Sequence, residues 1–127
     1  MKIGISDCSL HFVDDPLTGA QHMIERTAAA SAAGLDSLFV GDHDVTAAPY
    51  CQNNVILARM LDEWGSKPFG VLYLLPLWHP VLLAEQIGTL ASTLTVTKTL
   101  NFEFGIQDRE FGKSHMLNFL IMANFNT

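Results

Sequence analysis

The chain has 127 residues, enough for one domain with a sizeable core and too few for two. Hydrophobic residues make up 49% and charged residues 16%, where an average soluble domain is about a quarter charged; either strands are buried on both faces, or some apolar surface expects a partner. The formal net charge is −6, and the seven basic residues (Lys2, Arg26, Arg59, Lys67, Lys98, Arg109, Lys113) are scattered singly, which argues against a nucleic-acid partner.

Read in chain order, Lys2–Ser6 is a short strand. Thr18–Ala33 follows as a helix, with Ala20, Met23, Ile24, Thr27, Ala28 and Ala32 at helical spacing. Thr18 is its expected N-cap and Gly34 its stop. Leu35–Val40 is a second, apolar strand that ends at Gly41-Asp42-His43-Asp44. After a polar loop, a helix runs from Asn53 or Asn54 to Trp64 and stops at Gly65. Phe69–Leu75 is a third strand, apolar on both faces, as parallel strands covered on each side are. Pro76–Pro80 makes a turn, and a third helix runs to Ser92 with Pro80 in its first turn, where its missing N–H costs nothing. Asn101–Ile106 reads as a fourth strand and Glu110–Phe125 as a fourth helix.

The uncharged stretch from Pro68 to Ala84 approaches the length of a membrane span. Pro76, His79 and Pro80 near its centre favour a strand, a turn and a helix instead, so no membrane partner is expected. The chain opens on a strand-like segment with no charged n-region and apolar run, which leads to the expectation of no signal peptide and a cytoplasmic location. Cys8 and Cys51 form no CxxC and no metal spacing; a disulfide between them is one reading, and a reduced cytoplasmic pair the preferred one.

The order is β-α-β-α-β-α with a further strand. Alternation of this kind implies parallel strands with right-handed helical crossovers. In such α/β folds the C-terminal ends of the strands carry the ligands. That rule selects Asp7, Cys8, Ser9 and His11 after the first strand, and Asp42, His43 and Asp44 after the second. It selects Pro76, Leu77, Trp78 and His79 after the third strand, and Gln107, Asp108 and Arg109 after the fourth. His43 between two aspartates is the most informative cluster: a carboxylate-held histidine can act as a base near neutral pH, or His43 is solvated at the start of a polar loop that Asp44 caps. His79 either meets a ligand or precedes the third helix as its cap, and Trp78 either walls a planar pocket or closes the strand ends. Asp42, His43, Asp44, His11 and His79 could also ligate a metal, but an extended Asp-His-Asp run points alternate side chains apart, and there is no HxH or HExxH. No GxGxxG or GxxxxGK loop is present to cradle phosphate.

Two segments resemble a known family. Ala33-Gly34-Leu35-Asp36-Ser37-Leu38-Phe39-Val40-Gly41-Asp42-His43 is similar to the AGFDSLFVGDHH segment of the luciferase-like flavin-dependent monooxygenases, and Gly70 to Ser92, with its HPVxxAEQxxTL pattern, resembles the same family's third strand and helix. The resemblance covers about residues 1–92. It implies a (β/α)8 barrel, present here as a partial TIM barrel of about four βα units. The single domain, 1–127, would then be the N-terminal half of a barrel with a divergent tail over 93–127. It further implies FMN, or alternatively a deazaflavin coenzyme, at the C-terminal strand ends, in an enzyme that oxidises a small organic substrate. Carried over residue by residue, His43 matches the catalytic base of the bacterial luciferases and Asp42 its acidic neighbour. Val71 and Leu72 fall where the family often has a strand bulge with a non-prolyl cis peptide beside the flavin, His79 matches the HP histidine, and Arg109 lies near the family's position for an arginine at the flavin phosphate. The family's Gly-Arg pair after the third helix is absent. Strands five to eight are not in the sequence, so the half barrel is expected to have two raw sheet edges. Two chains closing one barrel, a homodimer, would repair them; otherwise the half barrel is not catalytic.

Overall fold

The computed structural model describes residues 1–10, 13, 15–43, 46–92, 99–107, 114–115 and 121–124, the last three segments as backbone. Its elements are β1 (Gly4–Asp7), α1 (Pro16–Ala32), β2 (Ser37–Val40), α2 (Asn53–Trp64), β3 (Phe69–Leu74), α3 (Pro80–Ser92), β4 (Thr99–Gln107), β5 (Ser114–His115) and β6 (Ile121–Asn124), with one 3-10 turn over Leu75–Leu77. Strands β1 to β4 pair in chain order and in parallel, as helical crossovers require. The chain is thus α/β with a parallel sheet, compatible with part of a barrel.

The fourth helix expected over Glu110–Phe125 is not formed where the backbone is described. Ser114–His115 and Ile121–Asn124 are strands that run antiparallel to β4. The segment Ile121-Met122-Ala123-Asn124 pairs with Thr99–Phe102 and saturates the far side of β4. Of the two raw edges expected, the one at β4 is therefore used within the chain, and β1 remains at the border of the sheet.

Local chemistry sets the element ends. Helix α1 starts earlier than the spacing suggests: Asp15, not Thr18, is the N-cap, accepting from the N–H groups of Leu17 and Thr18, with Pro16 in the first turn. The Thr18 hydroxyl donates to the same carboxylate, at 2.6 Å. A carboxylate at this position satisfies orphan donors and opposes the positive end of the helix. Helix α1 ends as Gly34 was expected to end it. Gly34 adopts φ +77°, its N–H donates to the Ser31 carbonyl, and the Leu35 N–H donates to the Ala30 carbonyl; this is a Schellman closure. It uses Leu35, so β2 begins only at Ser37. Helix α2 ends at Gly65, whose φ is also positive.

Register assigns each strand residue to a face. Ile5, Asp7, Leu38, Val40, Phe69, Val71 and Tyr73 share one face, and α1, α2 and α3 cover it. Met23, Leu57, Met60, Trp64 and Leu83 pack there with Leu38, Phe69, Val71 and Tyr73 in one core. The other face carries Gly4, Ser6, Phe39, Gly70, Leu72 and Leu74. Ser6 is exposed and Phe39, Leu72 and Leu74 are half-buried. Coverage of β3 on both sides, expected from its apolar run, therefore holds fully for one side only. Among the described residues, no helix is long and apolar enough to cross a membrane.

Candidate functional site

The segments leaving β1, β2 and β3 are laced together at the C-terminal end of the sheet. The Gly41 N–H donates to the Asp7 carbonyl, extending the β1–β2 ladder by one bond. Beyond it Leu10 bridges Tyr50 in antiparallel fashion, and the Cys51 N–H donates to the Ser9 carbonyl at 2.9 Å. Asn53, fully buried at the start of α2, donates its side-chain amide to the Leu72 carbonyl at 2.8 Å and accepts the Asn54 N–H. One amide thus fixes the helix start to the middle of β3.

Asp42 and His43 sit side by side in sequence and point to different partners, as alternation in an extended segment demands. Asp42 is 5% exposed. Its Oδ2 accepts the Leu74 N–H at 2.8 Å and the Trp78 Nε1–H at 2.9 Å. A buried carboxylate is costly unless hydrogen-bonded, and here the bonds tie the end of β2 to the turn after β3. Trp78 in turn stands edge-on to Tyr73, with centroids 5.3 Å apart and planes at 83°, a preferred aromatic geometry. Burial pushes the Tyr73 phenol well above its ordinary range, and the Asp42 charge adds to this, while the hydrogen bond to Asn54 opposes both. The Tyr73 hydroxyl therefore keeps its proton and donates it in a hydrogen bond to Asn54 Oδ1.

His43 reaches the other way. Its Nε2 lies 3.1 Å from Cys8 Sγ, and Cys8 is exposed just beyond β1, where the alternation continues from Gly4 and Ser6. The thiol donates when Nε2 is unprotonated. The neighbouring Asp7 points into the helix-covered side and pairs with Arg26 at 2.9 Å. Burial raises its carboxyl above the usual carboxylate range, against the lowering effects of Arg26 and of the Cys8 N–H. Its Oδ2 and the Ser9 hydroxyl are buried with no hydrogen-bond partner among the described residues.

The site residues expected from sequence separate accordingly. Asp42 and His43 are at the strand ends, Asp42 as an anchor and His43 beside a thiol. Val71 and Leu72 lie on opposite faces. Val71 is fully buried in the helix-side core, so of the two only Leu72 turns a side chain to the open face. The bulge and cis peptide that the resemblance implies there are not found. No described peptide bond is cis, and β3 keeps unbroken register with β4 from Phe69 to Leu74. His79 is exposed and its carbonyl accepts the Leu83 N–H, the position of a residue at the mouth of α3. Arg109, His11 and Asp44 lie outside the described residues. Among the described residues no group of three histidine, cysteine or acidic side chains could hold a metal ion.

Sequence reasoning placed Cys8 at a strand end but did not pair it with His43, and it did not single out Asn53. The signal for the first lay in the fold rule: the last residues of adjacent parallel strands are neighbours, whatever their distance in sequence.

No protein-family model and no curated protein matches this sequence. Solved structures do match the fold. The crystal structure of apo-MsnO8 aligns with 80% of this chain at a TM-score of 0.68 and 22% identity. The oxygenating constituent of 3,6-diketocamphane monooxygenase from the CAM plasmid of Pseudomonas putida, a type II Baeyer–Villiger monooxygenase in complex with FMN, aligns with 80% at 0.68 and 21% identity. This chain spans 32% and 29% of the length of those two chains.

Proposed function

We propose that the chain forms the ring-binding side of a flavin site in a luciferase-like, flavin-dependent oxidoreductase acting on a small organic substrate. The supporting observation is the open sheet face with His43 at its C-terminal rim, in a chain whose fold matches that of an FMN-bound monooxygenase. A flavin ring is a flat slab, apolar on its faces and polar along one edge. Phe39, Leu72 and Leu74 flank the side-chain-free Gly70 on this face, a surface suited to such a slab. The phosphate end is different. Among the described residues, Arg26 is engaged by Asp7, and Lys67 donates to the Ser31 carbonyl and stacks on Trp64 near the start of β3, the opposite end of the strand. The phosphate is assigned to Arg109, as the resemblance implies, with groups outside this chain as the alternative.

Bound there, a reduced flavin with oxygen would supply the oxidising chemistry. His43 would hold or accept a proton at Nε2, Asp42 would keep the β2 end and the Trp78 turn in one arrangement, and Leu72 and Leu74 would keep water from the ring. FMN is the expected cofactor and a deazaflavin the alternative. Titration of the purified chain with FMN, and separately with a deazaflavin, followed by absorbance and fluorescence, tests this: saturable binding of one, weakened by Leu72→Asp, is expected. A spectrum unchanged by either compound overturns it.

A second reading is a non-catalytic half barrel that self-associates as a homodimer. It is favoured by the position of β1 at the sheet border with Gly4 and Ser6 exposed, since an unpaired edge invites a strand. Light scattering that finds a stable monomer at micromolar concentration removes it.

A further inference from the structure

We propose that Cys8 is a peroxide-reactive thiol, with His43 as its base, that hydroperoxides convert to the sulfenic acid. The proposal stands on the Cys8–His43 geometry and is independent of flavin binding.

Three observations carry it. Cys8 is exposed, so a small oxidant reaches it without any movement of the fold. Its Sγ is 3.1 Å from His43 Nε2, the arrangement in which an imidazole takes a thiol proton as sulfur attacks. His43 is held in that direction because its neighbour Asp42 is anchored on Leu74 and Trp78. The thiolate, not the thiol, is the nucleophile. In the reaction His43 Nε2 takes the Cys8 proton and the sulfur lone pair attacks one peroxide oxygen. A sulfur–oxygen bond forms, the O–O bond breaks, and the leaving hydroxide recovers a proton from the imidazolium as water. Sulfur loses two electrons and the peroxide gains them; with hydrogen peroxide the products are the sulfenic acid and water.

The second cysteine faces away, which keeps the sulfenic acid from forming a disulfide with it, and supplies an internal control. The antiparallel Leu10–Tyr50 bridge and the Cys51 N–H bond to Ser9 set Cys51 opposite Ser9. Cys8 is one residue out of step, and alternate residues point to opposite sides. Neither cysteine is in a disulfide. Burial pushes the Cys51 thiol up, away from the reactive thiolate.

The test treats the full chain with hydrogen peroxide in the presence of dimedone, which captures sulfenic acids, and counts adducts on the Cys8 and Cys51 peptides by mass spectrometry. Cys8 is expected to label at least about tenfold faster than Cys51, and His43→Gln to remove most of that excess, the scale at which a positioned base acts. Equal labelling of the two cysteines in the unaltered chain overturns the proposal whether or not the variant folds. So does labelling of Cys8 that is unchanged in a folded His43→Gln chain, or a Cys8–Cys51 disulfide formed in place of the adduct. In Cys51→Ser the Cys8 adduct is expected to persist, and its loss overturns the proposal equally.

Discussion

Replacing Asp42 by alanine removes one acceptor oxygen that serves two donors, the Leu74 N–H and the Trp78 Nε1–H. Hydrogen bonds to a charged group contribute about 1.5–3 kcal/mol each, and a buried donor left without its partner costs about 1–3 kcal/mol. Leu74 and Trp78 are only half-buried, so water recovers part of the loss. An overall destabilisation of about 3 kcal/mol follows for Asp42→Ala, a large fraction of the roughly 5–15 kcal/mol that holds a domain folded. Asp42→Asn keeps a carbonyl oxygen able to accept both donors and loses the charge assistance, so about half that cost is expected. Urea titration read by tryptophan fluorescence measures both, since the chain has only Trp64 and Trp78. Adding Trp78→Phe, which keeps the aromatic edge on Tyr73 and deletes the donor, completes a double-mutant cycle. The coupling expected between residues 42 and 78 is about 1 kcal/mol. An Asp42→Ala chain within about 0.5 kcal/mol of the unaltered one, the range of ordinary surface changes, would refute the assignment of Asp42 as an anchor, and so would a cycle without coupling.

Three further outcomes are expected. The Asp7 carboxyl is raised in the folded chain, so its contribution is fully present below the unfolded carboxylate range and is lost as pH rises through the folded value; relative to Asp7→Asn, the unaltered chain should therefore lose stability on going from acid to neutral pH, and parallel stability curves for the two would contradict this. Gly34→Ala places a side chain at φ +77° with no atom within 4 Å of it, so the cost is conformational only; a loss of about 1–2 kcal/mol in urea is expected, and no loss would mean that the left-handed closure of α1 is not needed. Asn53→Ala strips the Leu72 carbonyl of its side-chain partner and should cost about 1–3 kcal/mol, with hydrogen exchange accelerating first at the start of α2; uniform acceleration across the sheet would argue against a local clamp.

The helices and strands up to Ser92 were legible because period and punctuation agreed. Gly34 and Gly65 stop their helices by the positive φ that favours glycine, whereas the buried face of α2 is Ile56, Leu57, Met60, Leu61 and Trp64 and leaves the equally apolar Val55 exposed. The start of α1 was misread because an N-cap is chosen by which side chain reaches the orphan N–H groups, and Asp15 reaches them from in front of Pro16. The end of the chain was misread for another reason. Ser114–His115 and Ile121–Asn124 carry no strong period, and what decides their structure is an open strand edge at β4, a tertiary fact. The strand ends were located by the α/β rule alone. Which of Asp42 and His43 faces the core, and that Cys8 meets His43, depend on a half-turn of backbone that composition does not encode.

Asp42 and His43 share a peptide bond, yet they answer to different strands. A clamp on one therefore sets where the other can reach. The Leu74 N–H, more than thirty residues later in the chain, holds the carboxylate of residue 42 and so fixes the stretch of backbone from which the imidazole of residue 43 meets the sulfur of Cys8.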